Sequence, residues 1–178
     1  MKVINLFAGP SAGKTTNGMV LAGLLSMADY KCEYVSEFAK FASWAKHTSS
    51  LSDQIYMFGK QHNRLHVLKD HGLDFVVMDG PILNALAYCP PEYFTSFEPL
   101  VVEVFNSYDN QNYFLERNPN FKYKPEGRNE DEQGALRKDK ELHEILKRNQ
   151  VPFESVLVSD SKIAYALFES ITGEKFKV

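Results

Sequence analysis

Short apolar runs and longer stretches of helical period alternate along the whole chain. Residues 3–7 (Val-Ile-Asn-Leu-Phe) form a compact apolar run and read as a first strand. From residue 15 to about 28 the period lengthens, with Met19, Val20, Leu21, Leu24 and Leu25 supplying the buried side of a helix. Residues 32–36 read as strand two, followed by a helical stretch over about 37–46. Ser52 is placed to cap a long helix running to about Asp70, with Ile55, Phe58, His62 and Leu65 recurring on one face and Gly72 at the expected stop. Phe75-Val76-Val77-Met78 is apolar without a break, the pattern of a strand buried on both faces. Pro90-Pro91 interrupts the chain before a helix over about 96–106, carried by Phe97, Leu100, Val101, Val104 and Phe105. Asp109-Asn110-Gln111 reads as a turn before a fourth strand at 113–115. The stretch from Arg117 to about Gly134 is the most polar and least periodic. A charged helix to about Asn149, a fifth strand at 155–158 and a last helix over 163–171 complete the pattern.

Strands that alternate with helices imply βαβ units around a parallel sheet, hence an α/β fold. With 178 residues, neither internal repeat nor linker, and normal hydrophobic (44%) and charged (24%) fractions, residues 1–178 are expected to form a single domain. The net charge of −3 lacks the basic excess of a duplex-DNA binder and favours a small-molecule substrate. Cys32 and Cys89 stand far apart without a CxxC partner, which argues against a disulfide framework and a thiolate zinc site. No apolar stretch approaches membrane-spanning length, and the N-terminal run is too short for a signal peptide, so a cytoplasmic protein with no membrane partner is expected.

The chemistry begins directly after the first strand. Ala8-Gly9-Pro10-Ser11-Ala12-Gly13-Lys14-Thr15 is a phosphate-binding loop with alanine in the first glycine position, and Thr16 continues it. Small residues at 8, 9 and 13 let backbone N–H groups turn inward around phosphate oxygens, and the following helix aims its positive end at the same anion. In this pattern Lys14 reaches the β and γ phosphates of ATP, and the Thr15 hydroxyl ligates magnesium. The rest of the chain decides among kinase, switch and motor. It has no Asn-Lys-x-Asp guanine-reading motif, and strand three ends Asp79-Gly80-Pro81 without the glutamate that activates water in mechanical ATPases. Both absences favour a kinase.

Asp79 lies at the C-terminal rim of a buried strand, where ligands gather, placed either to hold magnesium through water or to orient the acceptor. Glu37 follows strand two at the same rim and is the candidate to take the acceptor's proton, the alternative being a first-turn glutamate favouring the helix dipole. Phe38, Gln61 and Arg64 are candidate acceptor contacts: an amide can pair with a base edge, and a guanidinium with a phosphate or hydroxyl. His62 and His66, four apart, lack a third ligand and read as a helix-surface pair. Arg117, and Arg128 within Glu126-Gly127-Arg128-Asn129, are placed to cover a transferring phosphoryl group.

These residues together resemble the nucleoside and nucleotide kinases with a phosphate loop: the thymidylate kinase-like and deoxynucleoside kinase-like branches and the nicotinamide riboside kinase domains. More narrowly, the chain resembles small proteins of large bacteriophages, among them kinases that phosphorylate 5-hydroxymethyluracil within phage DNA. The resemblance implies a three-layer αβα fold, a five-stranded parallel sheet in the order 2-3-1-4-5, an acceptor-binding helical region over about 37–72 and a lid over about 117–136. It also implies Glu37 as base and lid arginines on the donor phosphates. One departure is Gly80-Pro81, where those kinases carry an arginine followed by tyrosine or serine. The expectation is an ATP- and magnesium-dependent kinase that phosphorylates a hydroxyl or phosphate of a nucleoside- or nucleotide-type small molecule. A modified base in DNA as acceptor, and a nucleotide-dependent binding protein without transfer, are the alternatives. A homodimer is among the assemblies the sequence admits.

Overall fold

Strand β1 (Lys2–Phe7) is central because side chains on both of its faces are apolar and every residue after Lys2 is buried. The computed structural model describes residues 1–118, 131–158 and 163–177. It places β1 between β3 (Phe75–Met78) and β4 (Asp109–Glu116), with β2 (Cys32–Val35) beyond β3 and β5 (Glu154–Leu157) beyond β4. All four pairings are parallel, giving five strands in the order 2-3-1-4-5. The α/β class and strand order therefore stand as expected.

The period-two alternation of β1 divides the interior into two cores. Val3 and Phe7 face one of them, with Val76 and Met78 from β3, and meet α4 (Gln54–His66), α5 (Phe97–Asn106) and α6 (Glu132–Arg148). Ile4 and Leu6 face the other, where α1 (Lys14–Met27) and α7 (Ile163–Thr172) pack. Each fully buried Leu or Phe contributes about 1.5–3 kcal/mol. Asn5 is a polar insertion in β1, 1% exposed, and its amide donates to Asn110 at 2.9 Å and to Asn112 at 3.0 Å. Those bonds satisfy a group that is otherwise costly to bury.

Several boundaries differ from the pattern-based expectation. Residues 109–111 are not a turn but the start of β4, with Lys2, Val3 and Ile4 opposite them and their polar side chains bonded locally. The helix expected to start at Ser52 starts at Gln54, capped by Asp53, whose Oδ1 accepts the Tyr56 N–H at 3.1 Å; Ser52 closes a separate short helix, α3 (Thr48–Ser52). α4 ends at His66 rather than Asp70, and Ile55 points outward, 51% exposed, while Met57 and Gln61 are buried. In α1, Met19 and Val20 are exposed; Asn17, Gly18, Leu21, Ala22, Leu24 and Leu25 form the inner face. A 3₁₀ segment, Ile82–Tyr88, was not anticipated, since its apolar run has no helical period. The remaining short helix, α2 (Phe38–Trp44), precedes α3.

Candidate functional site

The loop of residues 8–13 leaves the C-terminal end of β1 and turns directly into α1, so its amides meet the positive end of that helix. Ser11 and Gly13 adopt φ of +63° and +88°, the left-handed conformations that turn successive N–H groups toward one side. Glycine adopts that geometry without strain at 13. Lys14 is 6% exposed and folds across the loop, its Nζ donating to the carbonyls of Ala8 at 2.7 Å and Gly9 at 2.9 Å. An ammonium carries a third donor as well. Thr16 is exposed, on the far side of the first helical turn.

Asp79 follows β3 at the same rim and is 1% exposed. Its Oδ2 accepts the Thr15 hydroxyl at 2.7 Å and the Tyr34 hydroxyl at 2.9 Å, while its Oδ1 is buried without a hydrogen-bond partner. A buried carboxylate oxygen left unsatisfied asks for a cation or donor. An alcohol and a carboxylate with a spare oxygen suit magnesium, which takes one or two carboxylates, waters and phosphate oxygens. Burial, and then the Asp79 charge, push the Tyr34 phenol well above its ordinary pKa, so it remains a donor.

Glu37 precedes α2 and packs on Gly80. A Cβ at position 80 would stand 2.9 Å from Glu37 Cγ and 3.0 Å from its Cβ, so only glycine permits this approach. Glu37 and Lys14 line one cleft, of about 910 Å³ of atom-free space including its mouth, together with Ala8, Pro10, Gln54 and Asn84. Its far wall is apolar, built from Phe38, Met57, Phe58, Ile82 and Tyr88. Lys138 of α6 holds the end of the 3₁₀ segment by donating to the Ala87 carbonyl, with its ammonium 4.6 Å from the Tyr88 ring centre.

Gln61 and Arg64 come to this region, but the Gln61 amide and one Arg64 guanidinium nitrogen are bound within the protein. Gln61 Oε1 accepts the Phe38 N–H at 2.8 Å and its Nε2 donates to the Ser36 carbonyl at 3.4 Å. Arg64 donates to the Ser36 carbonyl at 3.0 Å and its hydroxyl at 2.8 Å, and stands 5.2 Å from the Phe38 ring centre. Together they fix the turn that carries Glu37. Arg117 lies beside the phosphate loop, paired with Asp139 and donating to the Pro10 carbonyl at 2.6 Å. Asp139 Oδ1 also accepts the Gly9 N–H at 2.6 Å. Arg128, with the rest of 119–130, lies outside the described residues.

His62 meets Tyr108 at 3.1 Å and stacks on Phe58; burial and then the neighbouring His66 lower its pKa. Among the described residues no group of three His, Cys, Asp or Glu could hold a metal ion. Phe38, from the cleft wall, stacks on Phe41 at 6.0 Å and meets Tyr56 edge-on at 5.8 Å, with Phe41 and Trp44 exposed. Between Phe38 and His66 the chain carries Lys40, Lys46, Lys60 and Arg64 against one acid, Asp53. Sequence reasoning missed Tyr34, Asp139 and Asn84. Tyr34 had a usable signal, alternate placement with Val35 on a rim strand; the other two had none.

No family model matches the chain, and no curated protein matches it. Among solved structures, the chain is similar to a deoxyadenosine kinase from M. mycoides, bound to its products dCMP and a flexible dCDP. The two share 18% identity over 97% of this chain and 99% of that one, with a TM-score of 0.60. At that identity the likeness establishes the fold. No described helix is long and apolar enough to cross a membrane.

Proposed function

We propose that this protein is a kinase that moves the γ-phosphate of ATP, with magnesium, to a hydroxyl of a nucleoside- or nucleotide-type acceptor. The observation that carries the reading is that Glu37 and Lys14 line one cleft, while Thr15 and Asp79, bonded to each other, adjoin its lining residues Lys14 and Gly80 in the chain. The full-length likeness to a deoxyadenosine kinase supports it at the level of fold.

In this reading the N–H groups of Ser11, Ala12 and Gly13 and the Lys14 ammonium hold the donor phosphates, with Ala8, Gly9, Pro10 and Thr16 flanking them. Thr15 and Asp79 hold the metal. Magnesium, when bound, neutralises charge across the β and γ phosphates. Glu37 accepts the proton of the acceptor hydroxyl as its oxygen bonds to the γ-phosphorus and the bond to the bridging oxygen breaks, leaving ADP. Phe38 walls the acceptor, and Gln61 and Arg64 set the Glu37 turn. Arg117 and Arg128 stabilise the charge on the transferring group. Labelled ATP offered to pooled nucleosides, nucleotides, nicotinamide riboside and hydroxymethylated DNA tests it. Transfer to at least one pool, lost in Lys14→Ala with an unchanged melting temperature, is the expected result. Undiminished transfer by that variant refutes the assignment.

A second reading, a hydroxymethylated base in DNA as acceptor, is favoured by the exposed rings of Phe41 and Trp44 among Lys40, Lys46 and Lys60. Stacking on aromatics with cations along the backbone is how unpaired strands are held.

A further inference from the structure

Of the polar side chains the sequence offered as acceptor contacts, Gln61 spends its amide on Ser36 and Phe38, and Arg64 turns one guanidinium nitrogen to Ser36. Asn84 leaves its amide oxygen unspent. It is 9% exposed, lines the cleft, and its Oδ1 is buried with no hydrogen-bond partner. We infer that Asn84 reads the heterocyclic edge of the acceptor, a nucleobase-like ring with a hydrogen-bond donor beside an acceptor; this rests on the kinase reading of the same cleft.

Three features point there. First, a buried amide oxygen without a partner costs stability, and rotation of the Asn84 amide toward the cleft lets a ring N–H or amino group supply the missing donor. An amide presents its N–H₂ beside its oxygen, so it pairs with an edge that alternates donor and acceptor. Second, the position is right. Residues three apart eclipse in a 3₁₀ segment at about 2 Å rise per residue, so Asn84 lies roughly 6 Å along from Pro81, next to the Gly80 that seats Glu37. That spacing separates a reacting hydroxyl from the ring of the same small molecule. Third, the surrounding walls are the flat and flexible apolar side chains of Phe38, Met57, Phe58 and Tyr88. They suit the two faces of a planar ring. Among the described residues Lys40 is the one cation lining the cleft besides Lys14, so the apolar end favours a neutral heterocycle over a second phosphate.

The test compares wild type with Asn84→Leu and Asn84→Asp on the four deoxyribonucleosides and on methyl deoxyriboside, which has the sugar without the base. Transfer kinetics, calorimetric binding and melting temperature are measured together. Wild type is expected to bind at least one nucleoside tenfold or more tightly than methyl deoxyriboside. Asn84→Leu should remove that preference, raising the nucleoside KM at least tenfold with the ATP KM unchanged and the melting temperature equal or higher. Asn84→Asp should change the order of preference among bases. If Asn84→Leu only raises the melting temperature and leaves nucleoside KM and binding within twofold, the orphaned oxygen has no ligand role and the inference is overturned. It is overturned as well if wild type binds no nucleoside more tightly than methyl deoxyriboside. Asn84-dependent binding without any transfer sinks the kinase reading instead and leaves the inference standing.

Discussion

Gly80 ties the sequence to the proposed chemistry more closely than any other single residue. Where the resembled kinases carry arginine, glycine here admits Glu37 within 2.9 Å of the place a Cβ would take. A clash with Cγ, Cβ and Cα together cannot be relieved by one rotamer, so Gly80→Ala must shift the turn that carries the carboxylate. A displacement of about 1 Å at a reacting group costs on the order of a hundredfold in rate. Gly80→Ala should therefore lower kcat by about that factor while leaving the ATP KM within twofold, because the phosphate loop is untouched. Steady-state kinetics with both substrates varied decides it; a normal kcat removes Glu37 placement from the mechanism. Lys14 and Thr15 were legible in the sequence because a phosphate loop is a local constraint written in consecutive residues, and Asp79 through its place at the end of a fully apolar strand. Glu37 was legible through its place after a strand. Asn84 was not, since an orphaned oxygen exists only once α4, α6 and the 3₁₀ segment have closed around it.

At the scale of elements, strands were easier to place than caps. The unbroken Phe75–Met78 run survived intact because burial on both faces leaves no alternative period. The start of β4 was misjudged because Asp109, Asn110 and Gln111 have turn chemistry, which β-ladder bonding to β1 and local side-chain bonds override. The N-terminus of α4 was misplaced by one polar residue for a similar reason: Ser52 and Asp53 are both good caps, and only the register of the buried Met57, Phe58, Gln61 and Leu65 chooses between them. That choice predicts unequal mutants. Asp53→Ala should cost about 1 kcal/mol, the value of a lost N-cap. Ser52→Ala, whose hydroxyl donates back to the Ser49 carbonyl at the end of α3, should stay within about 0.5 kcal/mol, as surface substitutions do. Urea denaturation of the two variants measures both; equal losses would return the cap to Ser52.

Over the whole molecule, the contacts that complete the site join residues far apart in the chain. Asp139 reaches Gly9 across 130 positions and gathers Arg117 to the same loop, so a helix that looks merely charged in sequence braces the loop that follows β1. Asp139→Asn should weaken that brace by about 2 kcal/mol, in the range of charged hydrogen bonds, lowering the melting temperature by roughly 4–8 °C and raising the ATP KM several-fold; an unchanged KM confines Asp139 to stability. Charge is distributed on the same scale. A chain of net −3 concentrates Lys40, Lys46, Lys60 and Arg64 between Phe38 and His66, against Asp53 alone in that stretch. Net composition argued for a small free acceptor, but the local excess beside exposed Phe41 and Trp44 is what a strand-borne acceptor needs. The two are separable by salt. If the acceptor base sits in a single strand, affinity should fall with log salt at a slope near −0.7 for each phosphate engaged. Lys46→Glu with Lys60→Glu, on an exposed surface outside the donor site, should then flatten that slope and abolish transfer to hydroxymethylated oligonucleotides, with free-nucleoside transfer retained. A slope near zero in the wild type, or a double variant that treats both acceptors alike, assigns the face no part in substrate choice.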